Sequence, residues 1–330
     1  MRYSKRLIRY SRKHGPEEIA RKVRRHSSFK TLSRVLRGRA ACKRFLYRKL
    51  LVKLRIKENM VIFESFFGRN YSDSPKYIFE YLGRNHPGKF KCIWILNKKE
   101  RLPFQAKCVK RFGLRYFYYM ARSQYFVFNG RQPKYFIKRD VYIQSHSWDY
   151  LIAPNQFSTE IFRRCFMYDG ILLRSGYPRN DILHLDEGGK RTLAADIREE
   201  LGIPEDKKVI LYAPTWRDDE FYGSGRYKFT LKLDLYAYQS FAYNASTYHD
   251  IARLYLIADV LITEYSSVFF DFANLRRPML FTTEEIIAAL RDLPGMEERY
   301  RKRYRLFYDK YCGWEKGDAR RKVAERVFRL

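Results

Sequence analysis

Apolar residues follow two rhythms along this chain. From Met60 onward, short unbroken apolar runs alternate with stretches whose apolar positions fall three or four apart, the pattern of strands alternating with helices. Val61-Ile62-Phe63 reads as a buried strand and Glu64-Ser65-Phe66-Phe67-Gly68 as the loop at its carboxyl end. Asp73 or Ser74 is placed to cap a helix that has Pro75 at its first position and carries Ile78, Phe79, Tyr81 and Leu82. A strand over 92–96, a helix over 112–122, strands over 125–128 and 141–144, and a helix over 158–168 follow. A second series begins near residue 171. It has a strand over 171–173, a glycine-bearing turn over 176–181, a strand over 208–212, a helix over 247–258 and strands over 260–263 and 278–281. Such β-α-β units build parallel sheets covered on both faces, with ligands beyond the carboxyl ends of the strands.

Residues 1–57 have a different texture, in which Leu7, Ile8, Leu32, Val35, Leu36, Phe45, Leu46, Leu50, Leu51 and Leu54 are set at roughly helical spacing among Arg and Lys. Breaks at Gly15-Pro16 and Ser27-Ser28 divide the run into two or three helices. Basic amphipathic helices suit an anionic membrane interface, although a helix packed on its own domain with a wet basic face has the same pattern.

Composition sharpens this division. The net charge is +31 over 330 residues, and residues 1–57 hold 21 Lys and Arg against Glu17 and Glu18. A field this strong concentrates polyanions, whether nucleic acid, lipid headgroups or a phosphate polymer. At 46% hydrophobic and 17% aromatic the chain can fill real cores, and its length suits two domains of ordinary size. Five cysteines without a C-x-x-C pair argue for reduced thiols rather than a disulfide framework or a zinc site. With no apolar stretch long enough to span a bilayer and no signal-peptide block, the chain is expected to stay inside the cell. No zinc-finger or RNP-type signature accompanies the charge, so nucleic acid is not the expected partner.

Three strand-end turns carry candidate chemistry, because the start of a helix presents unpaired N–H groups to an anion. Thr263-Glu264-Tyr265-Ser266-Ser267 puts two hydroxyls where a strand gives way to a helix, placed either to cap it or to bond a phosphate oxygen. Ala213-Pro214-Thr215-Trp216-Arg217 follows an apolar strand. Arg217 offers a forked donor set and Trp216 a flat face for a base, or both are ordinary packing and surface residues. The turn over 176–181 adds Arg179 and Asn180.

Taken with Phe63-Glu-Ser-Phe-Phe-Gly68, Ser72-Asp-Ser-Pro75 and Trp148-Asp-Tyr-Leu, these turns make the chain resemble the CDP-glycerol glycerophosphotransferases, the teichoic acid primases and polymerases of Gram-positive bacteria. The matches occur in family order over about residues 60–318. The resemblance implies an α/β, GT-B-like fold of two Rossmann-type doubly wound domains with a basic helical N-terminal extension. The expected divisions are a membrane-associating segment (1–58), an acceptor-side domain (59–172), a CDP-donor domain (173–312) and a C-terminal helix (313–330). It implies transfer of glycerol-phosphate or ribitol-phosphate from CDP-glycerol or CDP-ribitol to a lipid-linked teichoic acid acceptor, with release of CMP, by a peripheral enzyme on the cytoplasmic face of the membrane. Thr215, Arg217, Ser266, Ser267, Arg179 and Asn180 would meet the donor phosphates. Trp216 and Glu264 would shape the nucleotide pocket, Glu264 standing where the family usually has Asp. Ser65 and Gly68 would line the acceptor side. No metal cluster and no cofactor are indicated, metal dependence and glycerol versus ribitol stay open, and pairing of basic helices leaves self-association open.

The resemblance breaks at three seams. A Trp-His-Gly-Thr-Pro-Leu-Lys segment is missing after Gln144, an Arg-Leu-His-Pro segment after Ser240, and a Tyr and Arg-Gly segment after Ile286. Either the sequence omits loops that the working polypeptide carries, or the polypeptide lacks them and is inactive or altered. His146 and His249 are the nearest histidines to the first two seams. Neither matches a family motif position, so the catalytic base is left unassigned, with His146 the one candidate to examine. A nucleotide-sugar GT-B transferase and a non-catalytic, polyanion-binding surface protein are the competing expectations.

Overall fold

The computed structural model describes residues 50–98, 100–130, 144–214, 242–264, 266–281 and 286–330, together with Tyr47 and the backbone of 221–222 and 226–227. Most of the basic segment, the strand expected over 141–143 and the residues Thr215, Trp216 and Arg217 lie outside them. The chain divides into two compact units, one formed by residues 1–58 and 112–124, the other by 59–111 and 125–330. In the first unit the described parts are a 3-10 turn, Leu51–Lys53, and helix α2, Leu114–Arg122. Tyr47 packs 6.2 Å from the Phe117 ring, and Arg122 Nε donates to the Arg55 carbonyl at 3.1 Å.

The larger unit is α/β with parallel sheets. Its first sheet contains β1 (Lys57–Glu64), β2 (Lys91–Ile95), β3 (Lys107–Val109) and β4 (Ser123–Phe128) in the order β3-β2-β1-β4. Met60 to Phe63 are almost wholly buried, as a strand covered on both faces requires, and they pair in parallel with 91–94 of β2. Helix α1, Asp73–Asn85, lays Ile78, Phe79 and Leu82 on this sheet, where Phe63 stacks 5.5 Å from Trp94 and meets Phe79 edge-on at 5.5 Å. Truncating Phe63 to Ala would cost about 3–5 kcal/mol through lost transfer energy and the cavity left behind. A parallel pair, β5 (Tyr150–Ala153) and β6 (Ile171–Arg174), is joined by α3, Gln156–Cys165.

The second parallel sheet has the order β11-β10-β7, from Met279–Phe281, Val260–Thr263 and Ile210–Ala213, and between β7 and β10 along the chain stands the antiparallel pair β8 (Phe221–Tyr222) and β9 (Arg226–Tyr227). The central strand β10 is buried along its whole length. It packs with α5 (Ile251–Ile257), α4 (Glu187–Leu201) and α6 (Val268–Phe272) through Leu254, Tyr255, Ile197 and Phe272. Arg277 ends α5 by donating to the carbonyls of Leu256 and Ala258 at 2.9 and 2.7 Å. After α7 (Ile286–Arg291) and α8 (Leu293–Tyr311), helix α9 (Ala319–Phe328) returns to the first core and buries Val323, Ala324 and Phe328 there.

Several expected elements shift. The helix expected over 247–258 is only α5, because Asp250 stands at its N-cap and a turn precedes it. Gln144, expected in a strand, lies in a helical turn closed by Ser147 N–H to Gln144 O and Trp148 N–H to Ser145 O, both 3.1 Å. The first seam is therefore a continuous tight turn. The second, at Ser240, lies outside the described residues, and the third, after Ile286, falls within the first turn of α7.

Candidate active site

The second sheet sets two of the expected turns side by side. β7 and β10 run parallel with Ala213 opposite Thr263, and the buried Thr263 Oγ1 donates to the Ala213 carbonyl at 2.6 Å. Pro214 and Glu264 thus begin their loops from neighbouring strands at the carboxyl edge, where ligands of such sheets bind. Beyond Glu264, which is half-buried, Ser266 N–H donates to the Glu264 carbonyl at 2.9 Å. Ser266 Oγ weakly accepts the Val268 N–H at 3.4 Å, whereas the exposed Ser267 makes no side-chain capping bond. Of the paired hydroxyls, then, capping engages only one, and only weakly.

The 176–181 turn faces inward. Gly176 has φ +80°, and a side chain there would run into Glu315. Arg179 forks onto Asp271, with Nε to Oδ2 at 3.1 Å and Nη2 to Oδ1 at 3.3 Å, and its Nη1 reaches Asp73 at 3.4 Å. Asn180 donates to Asp271 at 3.0 Å and to Glu315 at 3.1 Å. Asp181 caps α9 by accepting the N–H groups of Ala319 and Arg320 at 2.9 and 2.8 Å. Expected to present Arg179 and Asn180 to a ligand, the turn spends both side chains on buried carboxylates.

The loop after β1 stands at the point where the first sheet changes direction. Chain order runs outward from β1 through β2 to β3 on one side and to β4 on the other, which opens a crevice between the carboxyl ends of β1 and β4. Phe66 N–H donates across it to Asn129 Oδ1 at 2.8 Å, and Asn129 Nδ2 donates to Asp73 at 2.9 Å. Phe66, Phe67 and Asp73 have φ of 44°, 61° and 62°. Each such left-handed residue costs about 1–3 kcal/mol, and strain of this kind collects at functional loops. Ser65 is fully buried, its hydroxyl donating to the Ser72 carbonyl at 2.6 Å, while the Gly68 carbonyl accepts the Asn97 N–H at 2.8 Å. Ser65 therefore anchors the loop, and the half-exposed Phe66 and Phe67 are what it presents.

Burial and charge set the titrations in this region. Burial pushes Glu315 up to about 8, more than the Tyr177 N–H and Asn180 bonds bring it down. Asp181 is raised to about 6 by burial, against its two capping N–H groups. Burial also pushes Asp73 upward, but the Arg179 charge with the Ser74 and Asn129 hydrogen bonds outweighs it and holds Asp73 below the usual carboxylate range. His146 lies at the first seam, with Nε2 3.6 Å from the largely exposed Asp169 and Nδ1 3.3 Å from Ser145 Oγ. His249 is exposed, and His184 is half-buried with Nε2 3.1 Å from Asn274 Oδ1. Among the described residues no group of three or more His, Cys, Asp or Glu is placed to hold a metal.

Asp73 is read in the sequence only as a helix cap, and Asn129, Asp271 and Glu315 are not singled out there as site residues. A lone acid inside Val268-Phe269-Phe270-Asp271-Phe272 was the available signal, since a charge in an aromatic run needs a buried partner.

Comparison with known proteins gives the chain a family and a fold relative. The sequence profile of the CDP-Glycerol:Poly(glycerophosphate) glycerophosphotransferase family matches residues 46–147, 139–242 and 236–286. The teichoic acid poly(glycerol phosphate) polymerase of Bacillus subtilis (strain 168) is 37% identical over 372 residues, which take in 84% of this chain and 50% of that protein. The protein of the same description from Bacillus spizizenii is 34% identical over 85% of this chain and 98% of its own length. The chain thus spans about half the length of the first relative and nearly all of the second. The structure of the wall teichoic acid polymerase TagF superposes with a TM-score of 0.80 at 30% identity, covering 92% of this chain and 97% of that one. The junctions of the three profile matches, at 139–147 and 236–242, and the end of the last match at 286 coincide with the three seams. In the B. subtilis alignment 372 positions face only 84% of 330 residues, about 277, so about 95 positions have no residue here.

Proposed function

The chain belongs to the CDP-glycerol:poly(glycerophosphate) glycerophosphotransferase family, and from that footing we propose that it extends a lipid-linked wall teichoic acid with glycerol-phosphate from CDP-glycerol. A terminal acceptor hydroxyl attacks the donor's β-phosphorus, a new P–O bond forms, the bond to the CMP oxygen breaks, and the hydroxyl proton is lost. Such a step depends on positioning and charge neutralisation. The reading is carried by the Ala213–Thr263 register, which starts the 215–217 and 264–267 segments from adjacent strand ends. Thr215, Arg217, Ser266 and Ser267 take the diphosphate there, and Trp216 and Glu264 flank the nucleotide. The strained loop held by Ser65 and Gly68 serves the acceptor. Glycerol is favoured over ribitol because the poly(glycerol phosphate) polymerases and the glycerol-phosphate transferase align over 82–85% of the chain and the glycerol-phosphate primases over 43–58%, against 32–35% for the ribitol-phosphate polymerases.

The strand order β3-β2-β1-β4, the second parallel sheet and the return of α9 to the first core support a GT-B-like arrangement of two Rossmann-type halves. The basic segment is proposed to hold the enzyme on the anionic cytoplasmic face of the membrane, where its acceptor resides. No helix among the described residues is long and apolar enough to cross a bilayer.

The seams favour a second reading, a relative that binds donor or polymer without turning over. Incubating the purified chain with CDP-glycerol and a prenol-linked glycerol-phosphate primer on anionic vesicles separates the two. CMP release with primer elongation is expected. Donor binding without CMP release establishes the second reading, and release only from a nucleotide-sugar would make the chain a sugar transferase.

A further inference from the structure

We propose that Arg179 is a positioning residue for the transfer, one that fixes the acceptor-side loop after β1 against the paired-serine turn after β10. The idea rests on the transferase reading above, but its geometry is independent of that reading. A continuous hydrogen-bonded path crosses the larger unit. It starts at the Phe66 N–H, which Asn129 Oδ1 accepts at 2.8 Å, and passes from Asn129 Nδ2 to Asp73 at 2.9 Å. From Asp73 it runs to Arg179 Nη1 at 3.4 Å, and from Arg179 Nε and Nη2 to the two oxygens of Asp271 at 3.1 and 3.3 Å. Asp271 lies in α6, the short helix that starts directly after Ser267, and its own N–H donates to the Ser267 carbonyl at 3.4 Å. One end of the path is the strained Phe66-Phe67 backbone and the other is the turn assigned to the diphosphate.

The residue type suits the task. A planar guanidinium engages one carboxylate with two donors and still has a third for another, which a single ammonium cannot do at the same geometry. Arg179 also lies over the Tyr177 ring, 4.1 Å from its centroid, so its plane is held from the side as well. With two carboxylates already on it, the guanidinium is a poor candidate for direct contact with a donor phosphate. An attacking hydroxyl must meet its phosphorus within a fraction of an ångström, so a device that locks the two loops together acts on turnover and not on nucleotide affinity.

The test is Arg179→Lys, with Asp73→Asn as a second variant in case the first fails to fold. Hydrogen exchange by mass spectrometry is read on the segments around 64–70 and 264–272, alongside CDP affinity and kcat. Exchange at least ten-fold faster in both segments, kcat lowered ten- to hundred-fold and CDP affinity within about two-fold of wild type is the expected result. Loosening of only one segment, or of neither, overturns the proposal. Loss of CDP affinity beyond ten-fold with both segments unchanged also overturns it and makes Arg179 a donor ligand. If the wild-type chain releases no CMP, the transferase reading fails, while the exchange measurement still decides whether Arg179 joins the two loops.

Discussion

Thr263 Oγ1 donates to the carbonyl of Ala213 at 2.6 Å, fastening the last residues of β10 and β7 to each other where the strands end. Side chains rarely reinforce a ladder that backbone groups already hold, and this one is fully buried at the edge that faces the proposed donor site. Thr263→Val keeps the shape and removes the donor. Urea unfolding is expected to show a loss of about 1 kcal/mol, the usual net worth of such a bond. CDP affinity measured by calorimetry should fall several-fold, because the two loops lose their common anchor. Unchanged affinity at lowered stability would mean that the bond serves the fold alone.

Arg217 follows that anchor by four residues and carries the forked cation of the proposed diphosphate site. Arg217→Ala is expected to weaken CDP binding at least ten-fold, about 1.4 kcal/mol, and Arg217→Lys by less, since charge survives without the bidentate geometry. A calorimetric titration of CDP in low salt distinguishes them. Equal affinity for all three proteins would remove Arg217 from the site.

The parts of this molecule that follow from local pattern were legible in its sequence. Strand Val260–Thr263 was read to the residue because four apolar or β-branched residues stand between polar ends. Helix Leu293–Tyr311 escaped notice because it buries no residue fully and has charges on every side, leaving little periodicity to detect. The polar network was out of reach for a different reason. Arg179 meets Asp73 across 106 residues and Asp271 across 92, and Tyr177 meets Glu315 across 138. The motif revealed which turn mattered, but only tertiary pairing decides whether its Arg and Asn face a ligand or a buried acid.

The basic segment makes a membrane prediction that salt can check. With 21 cations against two acids in residues 1–57, the chain should sediment with vesicles containing anionic lipid and be released as NaCl approaches ~0.5 M, where the screening length falls to a few ångströms. Equal binding to purely zwitterionic vesicles would show that charge is not what holds it there.

His146 is the histidine at the first seam, and its neighbours argue against a role as base. Among the described residues the carboxylate it faces, Asp169, is largely exposed and 3.6 Å from Nε2, a loose contact for fixing a tautomer. His146→Ala is expected to leave CMP release within about three-fold of wild type. A hundred-fold loss at unchanged CDP affinity would instead make His146 the base.

Glu315 gives the fold a pH dependence of definite sign. Its carboxyl is almost wholly buried beside Asp271 and Asp181, and burial raises it from about 4.5 to about 8 in the folded protein. Between those values the folded state keeps a proton that the unfolded chain has released, so stability falls as pH rises from about 4.5 to about 8. Below that window both states are protonated and the group contributes no slope. Glu315→Gln retains an oxygen for the Tyr177 N–H and the Asn180 amide but cannot ionise. Urea unfolding at pH 5 should therefore find variant and wild type similar, while at pH 8 the variant should be the more stable. A variant that is less stable at pH 8 than at pH 5 by the same margin as wild type would locate the pH dependence in other groups, with Asp181, raised to about 6, the next to replace.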